Sequence, residues 1–148
     1  MRARGLVLLL IVAIGAGAAY WFLQSREGST KVSTEYTSKH GDSVTISAPK
    51  AGDRITSPLT VGGVVPGPWS FEANFPVEIA DADHKKVAEG YATVKGDWMT
   101  TKPIRFTATV PFKAPVTDDG FVIIRKANPS GDQATDDSVE VPIKFGPG

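Results

Sequence analysis

Hydrophobic positions along this chain follow two patterns. From Gly5 to Leu23 the residues run apolar without interruption, and from Ser43 onward they alternate with polar ones in short segments. The first run covers 19 positions, roughly 28 Å as a helix at 1.5 Å per residue, against a hydrocarbon core of ~30 Å. It shows no amphipathic face, which argues against a buried core helix. Tyr20, Trp21 and Phe22 close it with the aromatic residues that favour a membrane–water interface. The pattern predicts an N-terminal transmembrane helix, with residues 1–26 forming a membrane anchor or signal segment. The small residues Ala16-Gly17-Ala18 leave the alternative of signal cleavage near Ala18, which would give a secreted or periplasmic domain. Arg2 and Arg4 precede the run while Arg26 and Lys31 follow it, so the positive-inside bias is weak. The short basic start matches an export signal and places the domain outside the cytoplasm.

Residues 27–42 are polar, rich in Ser and Thr, and without periodicity, so a flexible stalk is expected there. Seven alternating or apolar segments follow. Val44, Ile46 and Ala48 open the series, then Leu59, Val61 and Gly63, then Phe75, Val77 and Ile79. Lys86 to Val94 reads as a strand with Gly90 as a bulge. Ile104, Phe106, Ala108, Val110 and Phe112 alternate most clearly, with Arg105, Thr107 and Thr109 on the other face. Phe121 to Ile124 is continuously apolar, as in a central strand. Val139, Val141, Ile143 and Phe145 end the series, with Pro142 marking a sheet edge. Turn residues separate these segments at 51–53, 81–84, 95–97, 118–120 and 128–132. Seven short strands over residues 43–148 predict an all-β, immunoglobulin-like β-sandwich, with a small barrel as the alternative.

Composition narrows the chemistry. The whole chain carries 16 basic and 16 acidic residues. Residues 28–148 alone carry 13 basic and 15 acidic ones. With no basic stripe interleaved with aromatics, no nucleic-acid partner is expected. The absence of cysteine excludes disulfides, thiolate catalysis, a lipidated cysteine and cysteine-based zinc sites. No nucleophile elbow, phosphate loop or His-Glu-x-x-His occurs. A histidine-based site would need both His40 and His84. Asp81-Ala82-Asp83 starts like a calcium loop, but Lys85 and Lys86 stand where further oxygen ligands belong, so a hairpin turn is expected. Asp132, Asp136 and Asp137 read as a solvated polar loop. No catalytic residue, cofactor or metal is assigned, and the chain is not expected to be an enzyme.

The remaining candidates lie in two tryptophan-bearing stretches, Gly67 to Ile79 and Gly96 to Thr100. Read as extended chain, Trp69, Phe71, Ala73 and Phe75 share one face and cap one end of the core. Glu72 then needs backbone N–H groups, Arg54 or Arg105 as partners. The rival is a partner-binding patch of Trp69, Phe71, Glu72, Trp98 and Met99, which exposed tryptophans would favour.

Three stretches then carry a resemblance: Ala48-Pro-Lys-Ala-Gly-Asp-Arg-Ile55, Ser57-Pro-Leu-Thr-Val-Gly62, and Trp69-Ser-Phe-Glu-Ala-Asn-Phe-Pro-Val77. With Gly90-Tyr-Ala-Thr93, Gly96-Asp-Trp-Met-Thr100, Phe106 to Phe112 and Val139 to Phe145, they resemble the Gmad2 domain. That is an immunoglobulin-like domain of bacterial spore-germination and sporulation lipoproteins, and the likeness covers residues 44–146. The resemblance implies a non-enzymatic sandwich of the bacterial cell envelope engaged in binding an envelope protein or polymer. It does not carry a germination role, because the expected anchor is an apolar helix and not a lipidated cysteine. The alternative function is a structural spacer docking through its 137–145 strand edge.

Overall fold

The computed structural model describes residues 32–146. The segment expected to span a membrane, Gly5 to Leu23, lies outside the described residues. Among the described residues no helix is long and apolar enough to cross a membrane.

Nine strands follow in order: β1 (Thr34–Thr37), β2 (Ser43–Ala48), β3 (Arg54–Ile55), β4 (Leu59–Pro66), β5 (Asn74–Asp81), β6 (Lys86–Lys95), β7 (Pro103–Val110), β8 (Asp119–Arg125) and β9 (Ser138–Phe145). They hydrogen-bond in the order β1-β2-β4-β7-β6-β5-β8-β9-β3. Every pairing is antiparallel except β3 with β9. The sheet folds over at β6, which pairs with β5 from Lys86 to Thr93 and with β7 through its last three residues, Thr93 to Lys95. Phe75 and Phe106 lie two strands apart in the ladder, yet their rings meet edge to face with centroids 5.0 Å apart. Layers β1-β2-β4-β7 and β6-β5-β8-β9-β3 thus enclose one core, an immunoglobulin-like sandwich.

The alternation read from the sequence is the alternation that is buried. Val44, Ile46, Val61, Val65, Ile104, Phe106, Ala108 and Val110 line one inner face; Phe75, Val77, Ile79, Ala92, Val94, Val122, Ile124, Val139, Val141 and Ile143 line the other. All seven expected segments are strands.

Three expectations need correction. First, β1 and β3 raise the strand count to nine, and β1 lies inside the expected stalk of residues 27–42. Tyr36 alone of its four residues packs on the core, so no alternation marked it. The turn after β1 is fixed by the backbone of Asp42, whose carbonyl accepts from Ser38 N and whose N–H donates to Ser38 Oγ. Second, Gly90 pairs regularly with Val77. The bulge lies near the start of β6, where Ile79 pairs with Ala88 but Ala80 with Lys86. Gly90 is required for room, since a Cβ there would sit 2.9 Å from Val110 Cγ2. Third, the outer edge of β9 is largely closed. Gly52 N donates to the Pro142 carbonyl, Lys144 N donates to Asp53, and the Asp137 carboxylate takes the Ser138 N–H. Pro142 has no N–H, so alternation leaves Glu140 as the main open backbone position along Ser138 to Pro142. That edge offers little to an added strand.

Candidate functional site

Four connections gather at one end of the sandwich: residues 38–42, 66–73, 96–102 and 126–137. The two tryptophan-bearing stretches are locked together by a backbone approach. A Cβ on Gly67 would fall 1.8 Å from the Thr100 carbonyl oxygen, so only glycine fits there.

Trp69 ends a short 3₁₀ turn, Gly67–Trp69, and is fully buried. Its indole Nε1 donates to Asp42 Oδ2 at 2.7 Å, and its carbonyl accepts from Ala127 N at 2.9 Å. One residue thereby ties three of the four connections, through its side chain and its backbone. Trp69 is a structural pin, and its expected place in a partner-binding patch is corrected accordingly.

Beyond Trp69 the chain is not extended, as read from the sequence, but doubled into a two-residue hairpin. Phe71 and Asn74 exchange both backbone hydrogen bonds at 3.0 Å, with Glu72 at φ +50° and Ala73 at φ +63°. Two consecutive positive φ values define a primed turn, whose twist matches the flanking strands. Phe75 therefore enters the core while Phe71 turns outward, 49% exposed. Glu72 rides the exposed tip and needs neither Arg54 nor Arg105 as a partner. Trp98 is half-buried against the core, whereas Met99 is 75% exposed. The expected patch thus splits: Trp69 pins, Trp98 packs, and Phe71, Glu72 and Met99 face solvent.

What the structure adds is a cleft beside Phe71. It measures about 230 Å³ and is lined by Phe71, Asn74, Pro76, Tyr91, Asn128 and Pro129. Tyr91 lies opposite Pro76 across the β5–β6 ladder and is 62% exposed. Sequence reasoning missed Tyr91 because only the inward face of β6 was read; an aromatic residue on the polar face of an alternating strand was the available signal. Asn128 is held by the 128–137 loop, donating to the Asp132 carbonyl and to Asp136 while accepting from Ser130 and Gly131. The cleft wall is therefore rigid. A cleft of about 290 Å³ at the opposite end, between Ile55, Ser57, Phe112 and Lys113, is stitched by Phe112 N donating to Ser57 Oγ and exposes no aromatic face of comparable extent.

Next to the aromatic cleft, on the same outer face, Glu78 is nearly buried between two cations. Its carboxylate meets Arg125 Nε at 2.9 Å and Lys86 Nζ at 3.1 Å. Lys86 also contacts Glu89. Hydrogen bonding to Glu89 and then to Glu78 raises the Lys86 pKa, and Lys86 in turn lowers that of Glu89. This lattice separates Glu78 and Glu89, which stand directly opposite each other on β5 and β6.

The acidic residues singled out earlier serve local structure. Asp81 Oδ1 accepts from the N–H groups of Asp83 and Lys85 in the β5–β6 turn. Asp132 caps a 3₁₀ turn, Gln133–Thr135, through Ala134 N. Asp137 is not a solvated loop residue but buried, accepting from Ser38 Oγ at 2.7 Å, with His40 Nδ1 3.8 Å away. Among the described residues no three carboxylate or histidine groups converge as a metal would require.

The fold and this loop-end surface together define an immunoglobulin-like module with an exposed aromatic cleft. Residues 43–133 match the model of the Gmad2 family, described as the immunoglobulin-like domain of bacterial spore germination. The chain belongs to that family. The match stops before β9, the strand that completes the second layer. No curated protein and no solved structure matches the chain.

Proposed function

We propose that this chain is a membrane-anchored binding module of the bacterial envelope, displayed outside the cytoplasm, which holds a partner without transforming it. The observation that carries this is the exposed aromatic cleft. Phe71 and Tyr91 leave 49% and 62% of their surfaces in water on a wall fixed by the Trp69 pin and the Asn128 loop. Large apolar groups held rigidly in water are the usual mark of a binding surface, and rigidity lowers the entropy lost on association. Family membership supports the same reading, and the apolar run Gly5 to Leu23 supports the anchor.

The test is capture from an envelope extract by the full detergent-solubilised chain, beside Tyr91→Ala and Phe71→Ala. Capture by the native chain, lost from variants that melt normally, is the expected result. Equal capture by all three would remove the cleft from the binding surface, and no capture would overturn the reading. Recovery of the domain in the soluble fraction, with a new N-terminus near Ala18, would replace the anchor by a signal peptide.

A further inference from the structure

On the other flank of β6 from the aromatic cleft lies a surface of different chemistry. Pairing of β6 with β7 sets Lys95 directly opposite Arg105, and Thr93 opposite Thr107. Val94 and Phe106, between them, point into the core, so these four side chains share the outer face, about 5 Å apart across the strands. Lys95, Arg105 and Thr93 are exposed. Neither cation lies within ion-pairing distance of a carboxylate among the described residues, unlike Lys86, Arg125 and Lys144. The same cross-strand row continues through Val64 and Thr45 before reaching an acid, Glu35 on β1. Lys102 is also exposed, just before β7. Like charges directly opposite each other on a sheet destabilise it. An anionic partner would relieve that repulsion.

Lys95 follows the cleft on the same strand, with Arg105 beside it on β7. Tyr91, Thr93 and Lys95 alternate outward along β6, spanning roughly 13 Å from first to last. Thr93 to Lys95 pair with β7 on one side, and on the other Thr93 pairs with Asn74 of β5 while Val94 N donates to the Ala73 carbonyl. A peptide strand therefore cannot add there through its backbone; a ligand must be read by side chains. Those side chains are aromatic faces, threonine hydroxyls, the Asn74 carboxamide oxygen and two cations. Aromatic faces accept the C–H faces of sugar rings, hydroxyls bond sugar hydroxyls, and Arg and Lys take phosphate or carboxylate by charge-assisted hydrogen bonds. We propose that the partner of this module is an anionic glycan chain. Its sugar rings lie against Phe71 and Tyr91, and its acidic groups lie on Lys95 and Arg105. The proposal rests on the binding-module reading above.

The experiment titrates the full detergent-solubilised chain with two anionic glycans, polygalacturonate and a phosphorylated mannan. Neutral dextran, polyglutamate and short-chain phosphatidylglycerol serve as comparisons. Binding of an anionic glycan and not of dextran is expected. The Lys95→Gln/Arg105→Gln variant should bind at least tenfold more weakly and lose about 1–2 from its log–log salt slope. Its melting temperature should hold or rise, since a like-charge pair has been removed, which separates lost binding from lost folding. Tyr91→Ala should weaken the glycan as well. Undiminished binding by the charge variant overturns the proposal. So does polyglutamate binding as well as the glycans, or preference for phosphatidylglycerol, which would make the surface a membrane contact. If neither glycan binds while envelope capture still depends on Tyr91, the glycan is overturned and the binding module stands.

Discussion

At the scale of single residues, Trp69 and Phe71 show how close neighbours separate into core and surface. Trp69 fills the core and closes a 2.7 Å bond to Asp42, so Trp69→Ala should cost about 3–5 kcal/mol. Phe71→Ala, from a half-exposed position, should stay within about 0.5 kcal/mol. Chemical denaturation of both variants distinguishes the roles, and similar losses would contradict the division. The turn between Phe71 and Asn74 supplies a second expectation. Glu72 and Ala73 hold positive φ with side chains that disfavour it. Glu72→Asn with Ala73→Gly installs the residues that a primed turn prefers, so the pair should stabilise by about 1 kcal/mol. A lowered denaturation midpoint would mean that the contact of Ala73 with the core outweighs the backbone relief. That turn also explains why the site was only partly legible. Neither glycine nor asparagine announces it at 72 or 73, so reading the stretch as extended put Trp69 and Phe71 on one face.

At the scale of elements, a strand was legible wherever several of its residues face the core. The seven expected strands satisfy that condition, and the two missed ones do not: β1 packs mainly Tyr36, and β3 buries only Ile55. Burial through one side chain leaves no period to read. Besides its ladder to β2, β1 is secured just past its end by a contact across 99 positions, the hydroxyl of Ser38 on the buried carboxylate of Asp137. No local pattern could show it. Ser38→Ala leaves that carboxylate short of a donor and should cost about 1.5–3 kcal/mol. A fragment beginning at residue 43 loses Tyr36 as well, and its loss should be larger still. Equal stability of fragment and full-length domain in urea would mean that β1 contributes nothing to the sandwich.

At the scale of the whole molecule, the two outer faces treat charge in opposite ways. One side of β6 neutralises its charges in the Lys86–Glu78–Arg125 lattice, while the other leaves Lys95 and Arg105 unpaired among the described residues. The neutralised side sets a pH signature. Glu89 is held below its ordinary 4.5 by Lys86, so its contribution is present above that value and fades as pH falls through the lowered one. Lys86 is held above its ordinary 10.5 by Glu89 and Glu78, so its contribution is present below that value and fades only as pH rises past the raised one. Between these limits Lys86 and Glu89 are both charged and their contribution is flat. Both groups are largely solvated, and salt screens them. The gap in melting temperature between the native chain and Lys86→Met should therefore be greatest from about pH 5 to 10, shrink below about pH 4, and narrow in 1 M salt. A gap that is constant through the acid range would assign the effect to packing of the lysine stem on the sheet and not to its charge.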